Sequence, residues 1–359
     1  AGGNSFVNIA PPTNTAGTYT YELKNLTYSN ASFCLQAQTG TYTLTVNPNP
    51  SLVVTAPAPI CSPNGVNLTN SSITNGSSSG VNFNYFTNST ATYVLALPNN
   101  VTTAGTYYIQ AVDTSTGCKS ISPVNVTINP RPYIANFAGT DICSGATSNV
   151  VLTPSIPSST TWNVNTNPSN VLGTSSGSGA AITQTLTNSS TTNPAFVDYN
   201  VILTAANTGC VGDTDVVTIT VNPVPSVVST ASTKICTSGT STLQANPSSG
   251  TIQWYSSSTG GVPLLSSNNF TSPVLNSNTT YYAQANFGTC TNGIRTPVDV
   301  IVENPGQWLG YTNDWNTLSN WGCNILPTAT TNVTIPTTPD GGFYPIVSTN
   351  NLALCKNLQ

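Results

Sequence analysis

The sequence predicts an all-β chain of tandem sandwich domains, on three observations. Asn-Pro steps divide it at near-regular intervals. The runs before those steps alternate apolar and polar residues. The stretches between them carry a cysteine, an aromatic strand and a second cysteine, in that order. The steps are Asn47-Pro48, Asn129-Pro130, Asn222-Pro223 and Asn304-Pro305, spaced by 82, 93 and 82 residues. Residues 42–46, 124–128, 217–221 and 298–302 precede them and read as last strands, with one face on a core and the other in water. Proline then ends each strand and stiffens a short linker. No helical period of useful length competes with this pattern.

Within each unit the first cysteine follows an isoleucine, at Ile60-Cys61, Ile142-Cys143 and Ile235-Cys236. An aromatic strand comes next: Phe83-Asn84-Tyr85, Thr161-Trp162-Asn163 or Gln253-Trp254-Tyr255. The second cysteine is Cys118, Cys210 or Cys290, with a Tyr-rich strand ahead of it at Tyr107-Tyr108 and Tyr281-Tyr282. Cysteine, core aromatic and cysteine at these intervals are the signature of an immunoglobulin-like sandwich. The expected organisation is an elongated rod. It comprises 1–48 as the second half of such a domain, 49–130, 131–223 and 224–305 as whole domains, and 306–359 as an incomplete Trp-rich β module.

Nearest-neighbour pairing of the cysteines gives Cys61–Cys118, Cys143–Cys210, Cys236–Cys290 and Cys323–Cys355. The first three separations, 57, 67 and 54 residues, suit a bond between the two sheets of one sandwich. Trp162 and Trp254 are then expected to pack on those bonds. Stable disulfides place the chain in an oxidising, extracellular setting. Cys34 has no partner within the chain by this pairing. Ala16-Gly17-Thr18-Tyr19 parallels Ala104-Gly105-Thr106-Tyr107, so Cys34 takes the place of a second cysteine. Either the chain is a segment of a longer protein, or another subunit supplies the missing strands. Ala1-Gly2-Gly3-Asn4 reads as a mature or internal start.

Composition narrows the functions. Charged residues make up 4% of the chain, against roughly 25% in ordinary domains. With a net charge of −4 there is no basic patch for nucleic acid, and no apolar run is long enough for a membrane span. Without histidine or a CxxC pair, neither a zinc site nor a Ser-His-Asp or Cys-His centre is expected. No catalytic residue and no cofactor are assigned, and the chain is read as a non-enzyme. Calcium at Asp113, or at Asp213 with Asp215, is the one metal the carboxylates suggest. Twelve Asn-x-Ser/Thr sequons offer glycosylation positions: Asn25, Asn30, Asn67, Asn70, Asn75, Asn88, Asn100, Asn125, Asn188, Asn269, Asn278 and Asn332. Trp315 and Trp321, in the tail, are candidate contacts for a glycan.

Two stretches resemble modules of very large Bacteroidota surface proteins. Ile235-Cys236, Gln253-Trp254-Tyr255, Gly260-Gly261, Thr280-Tyr281-Tyr282 and Arg295-Thr296-Pro297-Val298 resemble their immunoglobulin-like repeats. Asp314-Trp315-Asn316, Asn320-Trp321, Leu326-Pro327 and Val333-Thr334-Ile335-Pro336 are similar to a second module of the same proteins. The resemblance implies type IX secretion and a role as adhesin, gliding-motility filament or stalk at the cell surface. The expected function is therefore structural and adhesive, with other copies of the chain or neighbouring repeats as partners. The alternatives are a carbohydrate-binding module meeting surface glycans and the non-catalytic stalk of a surface enzyme.

Overall fold

A computed structural model describes residues 8–10, 13–27, 35–37, 39–137, 140–347 and 352–359. Cys34 and Asn30 lie outside the described residues, and Asn25 is described by its backbone alone. The regular structure is β throughout, apart from 3-10 turns at Leu318–Asn320 and Gly322–Asn324. Among the described residues no helix is long and apolar enough to cross a membrane. The chain forms two compact units, residues 1–131 with 207–210, and 132–206 with 211–359.

In the first unit, Gly17–Glu22 and Thr41–Val46 form an antiparallel hairpin, with Gly17 opposite Val46 and Glu22 opposite Thr41. Further along, Val81–Phe86, Gly105–Asp113 and Lys119–Val126 make a three-stranded antiparallel sheet. Alternation on these strands puts Ile109, Ala111, Val124 and Val126 in a core with Val66, Leu68 and Val101. The hydroxyl of Tyr107 donates to the Thr103 carbonyl at 2.9 Å, and Tyr19 does the same to Thr15 at 2.9 Å. A tyrosine reaching back to the backbone in this way pins the corner where a sandwich strand begins.

In the second unit, the sheet around Trp162 runs in the order Thr140–Cys143, Asp215–Asn222, Ala195–Ala205, Ser158–Thr166, Gly177–Ser178. The Ala195–Ala205 strand buries every second residue, including Val197, Tyr199, Val201 and Leu203. Each such side chain contributes about 1.5–3 kcal/mol when removed from water. Gly177 lies over the Trp162 ring; a Cβ there would come within 2.7 Å of Trp162 Cζ2. Burial raises the Tyr199 phenol to about 12, and its hydroxyl donates to Gln184 Oε1 at 2.5 Å.

Residues 227–303 form a two-sheet sandwich. Val227–Ala231, Thr242–Pro247 and Asn269–Thr271 make one sheet. Thr233–Cys236, Thr296–Glu303, Thr279–Asn286, Thr251–Tyr255 and Leu265–Ser266 make the other, in that spatial order. Between them lie Leu243, Ala245, Ile252, Trp254, Ala283, Val298 and Val300, all at 0% exposure. Trp254 stacks on Phe270 at 5.6 Å, and Phe270 packs against Tyr281 at 4.8 Å. The core aromatic therefore meets other aromatics; the expectation that it packs on a disulfide is corrected here, because no disulfide enters this core.

The tail from residue 306 is organised by tryptophan. Trp308, Trp315, Trp321 and Val333 form its buried cluster. Asn320, also fully buried, donates from Nδ2 to the Asp314 carbonyl at 2.6 Å and accepts from the Thr312 backbone N–H at 2.7 Å.

One feature recurs in all three complete repeats. The short cysteine-bearing first strand runs parallel to the end of the last strand. Ile60–Cys61 pairs with Ile128–Asn129, Thr140–Cys143 with residues 219–222, and Thr233–Cys236 with residues 300–303. Each cysteine sits opposite the terminal residue of that pairing: Asn129, Asn222 or Glu303. The residue after the cysteine donates its N–H to the same terminal carbonyl, at 2.9, 2.9 and 2.8 Å.

Candidate functional site

The cysteines pair differently from the nearest-neighbour expectation. The bonds are Cys61–Cys210, Cys143–Cys290 and Cys236–Cys323, with Cα separations of 5.7, 5.4 and 5.3 Å. Cys118 and Cys355 carry free thiols. The parallel first strand explains the correction. It carries the first cysteine to the end of the last strand, whereas the second cysteine lies in the loop where that strand begins. The strand Thr296–Glu303 alone covers about 23 Å at 3.3 Å per residue. A disulfide needs Cα atoms within about 7 Å. The two cysteines of one repeat thus lie at opposite poles, and the first cysteine of each repeat bonds the second cysteine position of the next.

The Cys236–Cys323 junction is the most elaborated. Lys234 Nζ meets Glu303 Oε1 at 2.7 Å, and the buried Glu303 carboxylate also accepts the Cys323 backbone N–H at 2.9 Å through Oε2. Bonded to Glu303, the Lys234 ammonium is held above the usual lysine range. Lys234 also donates to Tyr311 Oη at 3.3 Å. Cys323 Sγ lies 3.4 Å from the Glu303 carbonyl oxygen, and Cys323 adopts φ +64° to reach it. Gly322 permits this approach, since a Cβ there would lie 2.3 Å from the Asn304 carbonyl oxygen. The site offers mechanical continuity: a covalent bond, an ion pair and a hydrogen-bonded backbone at one joint.

Comparison with known proteins places parts of this chain in two domain types. Residues 224–305 match the family model of the Ig-like domain, CHU_C associated. Residues 140–225 match that of the PKD-like domain. The middle repeat, read from sequence as immunoglobulin-like, is thus similar to a second kind of β-domain. Domains of these types are typical of extracellular adhesive or structural proteins and are typically non-catalytic. No curated protein matches the chain. Among solved structures, the chain is similar to the I-band fragment I67–I69 from titin, at 10% identity over 72% of this chain and 99% of that one, with a TM-score of 0.31. Extracellular domains 3–5 of Drosophila OTK align at 14% identity over 70% and 97%, with a TM-score of 0.29. The N-terminal eight Ig domains of Down Syndrome Cell Adhesion Molecule align at 12% identity over 81% and 40%, with a TM-score of 0.35.

The carboxylates considered for calcium are engaged in the fold. Asp113 Oδ1 accepts from the Ser115 hydroxyl and the Ser115 and Thr116 backbone N–H groups at 2.7–2.9 Å, closing the loop that leads to Cys118. Asp215 Oδ2 accepts from the Ile134 N–H at 3.0 Å. Among the described residues, no three His, Cys, Asp or Glu side chains converge as a metal cluster. The Ser115 and Thr116 hydrogen bonds hold the Asp113 carboxyl down at about 2. A depressed carboxylate favours the folded loop above its unfolded value and loses that contribution as pH falls through its folded one. We expect a carboxyl NMR titration of Asp113 with its midpoint near pH 2, and loss of Ser115 and Thr116 amide protection over the same range. A midpoint near the ordinary aspartate value, about 4, would contradict the hydrogen-bond pattern.

The glycan-contact reading of Trp315 and Trp321 is corrected by their placement. They are 4% and 0% exposed, edge to face at 4.7 Å, with Trp321 Nε1 donating to the Trp315 carbonyl at 2.7 Å. Neither ring presents a face on which a sugar could stack. Among the sequons, Asn188 is buried, and its Nδ2 is bonded to the Asn193 and Val221 carbonyls, both at 2.9 Å. The nitrogen that would carry a glycan is thus occupied inside the fold. Asn67, Asn70, Asn75, Asn100, Asn125, Asn269, Asn278 and Asn332 are exposed, and Asn88 is half-buried.

Proposed function

We propose that this chain is a load-bearing segment of a bacterial cell-surface stalk or filament, in which the cysteine bonds carry tension from repeat to repeat. The observation that carries this reading is the offset pairing of Cys61–Cys210, Cys143–Cys290 and Cys236–Cys323. Because the three loops overlap, a pull on the ends follows a short path. It runs to Cys61, crosses to Cys210, continues to Cys236, crosses to Cys323 and goes on to Gln359. About one third of the chain lies on that path. Sheet edges and cores within the loops stay shielded from force even if they loosen. Secretion by the type IX route and display on the cell exterior fit the oxidising setting that these bonds need. The low charge suits close approach of neighbouring copies, since it leaves little long-range repulsion.

Single-molecule stretching tests the reading. With the bonds intact, full extension should stop near 40 nm, and reductant should release it to about 120 nm, at about 3.4 Å per residue. An oxidised chain that extends as far as a reduced one would refute load transfer through these bonds.

A further inference from the structure

The Gly17–Glu22/Thr41–Val46 hairpin is built like the last two strands of a complete repeat, yet one of its edges is unfilled. Thr41–Val46 pairs only with Gly17–Glu22 among the described residues. In each complete repeat, the end of the last strand also pairs, in parallel, with an Ile-Cys strand. The inner face of the hairpin is correspondingly bare. Leu44 and Val46 are half-buried, whereas Val124 and Val126 on the equivalent strand are 2% and 3% exposed.

Cys118 marks where the missing cysteine belongs. Its Sγ lies 3.8 Å from the Asn47 carbonyl oxygen, at the end of Thr41–Val46. Cys323 Sγ stands in the same relation to the Glu303 carbonyl, at 3.4 Å. Glu303 is the residue opposite Cys236, and Cys236 is the cysteine that bonds Cys323. The thiol of Cys118 therefore waits beside a carbonyl that, at three other places in this chain, belongs to a first-strand cysteine.

We infer that a strand of the Ile-Cys type, from the polypeptide upstream of Ala1, pairs in parallel with Thr41–Val46 and forms a disulfide with Cys118. The donor is not a second copy of these residues, because their three strands of this type are already paired and bonded. Spacing gives the same answer. In the complete repeats the first cysteine precedes the penultimate strand by 44, 52 and 43 residues, counted from Cys61 to Gly105, Cys143 to Ala195 and Cys236 to Thr279. The same interval before Gly17 falls ahead of residue 1. Bond formation is thiol–disulfide exchange: Cys118 and the incoming cysteine each lose a proton, and two electrons pass to a disulfide oxidant, which leaves as two thiols.

The test is peptide mapping of the polypeptide purified from its native source, alkylated before reduction. The expected result is a Cys118 peptide that is wholly protected from alkylation until reductant is added. It should be linked to a peptide absent from residues 1–359, in which the cysteine follows an apolar residue. Complete alkylation of Cys118 without reduction would overturn the inference, as would a link to Cys34 or Cys355. A link to a separate chain, seen as a loss of mass on reduction to a 1–359-containing band, would overturn the assignment of the donor to the same polypeptide.

Discussion

Replacing Cys236 and Cys323 together with serine should uncouple the tail from the preceding domain, lowering the tail's stability by about 4–5 kcal/mol. The bond spans 87 residues, and the estimate is the chain entropy that it removes from the unfolded state. The Lys234–Glu303 pair would remain, but it is half-exposed on the lysine side and holds little by itself. The contrast is with Cys118→Ser and Cys355→Ser in the 359-residue chain, where both thiols are free. These changes should leave unfolding transitions within about 1 kcal/mol of the parent. Denaturant unfolding, followed separately through the tail tryptophans and through Trp254, gives both quantities. If Cys118→Ser or Cys355→Ser were the damaging change and the Cys236/Cys323 pair the silent one, the bonds would lie within repeats and the staple geometry would be wrong.

Trp321→Ala should destabilise the tail by about 3–5 kcal/mol, the cost of emptying a buried indole site. Trp321 is fully buried, packs edge to face against Trp308 at 4.9 Å and Trp315 at 4.7 Å, and donates to the Trp315 carbonyl. Such ring pairs add about 0.5–1.5 kcal/mol beyond area burial. The loss should be local: amide exchange should rise across residues 306–359 while the sandwich at 227–303 keeps its protection. A folded, fully protected tail in the Trp321→Ala variant would show that the cluster is not what holds the module. The same experiment bears on sugar recognition, because lost glycan binding in such a variant would report unfolding and not a lost contact.

Much of this fold is legible in the sequence because its driving pattern is local. Alternation along 217–221 and 298–302 names Val217, Ile219, Val221, Val298, Val300 and Val302 as inward-facing, and all six are buried. Tyr19 and Tyr107 share a Gly-Thr-Tyr context and make the same corner bond. The cysteine pairing is not legible in that way. Spacings of 57, 67 and 54 residues fit a cross-core bond, and nothing local distinguishes a cysteine between two sheets from one at a pole. The deciding fact is the parallel pairing of Ile60–Cys61, Thr140–Cys143 and Thr233–Cys236, which is tertiary. One signal was present: each first cysteine lies just after a linker, and Cys118 lies directly before a last strand, a full strand length from where that strand ends. The tail tryptophans misled for a related reason. Aromatic content marks both binding faces and cores, and only burial separates them.

The offset bonds also set a rule for building and altering such a chain. Each complete repeat gives one sulfur forward and takes one from behind, a head-to-tail connection that never closes on itself. Whole repeats can therefore be inserted or removed in register without stranding a thiol inside the array. A cut within a repeat strands one at each side. The bonds also impose an order on maturation. Cys61 and Cys143 cannot be satisfied until 149 and 147 further residues have emerged, so each repeat stays chemically unfinished until its successor has folded. Oxidation then advances along the chain one repeat behind folding, in the manner of a zip whose slider trails the teeth it closes.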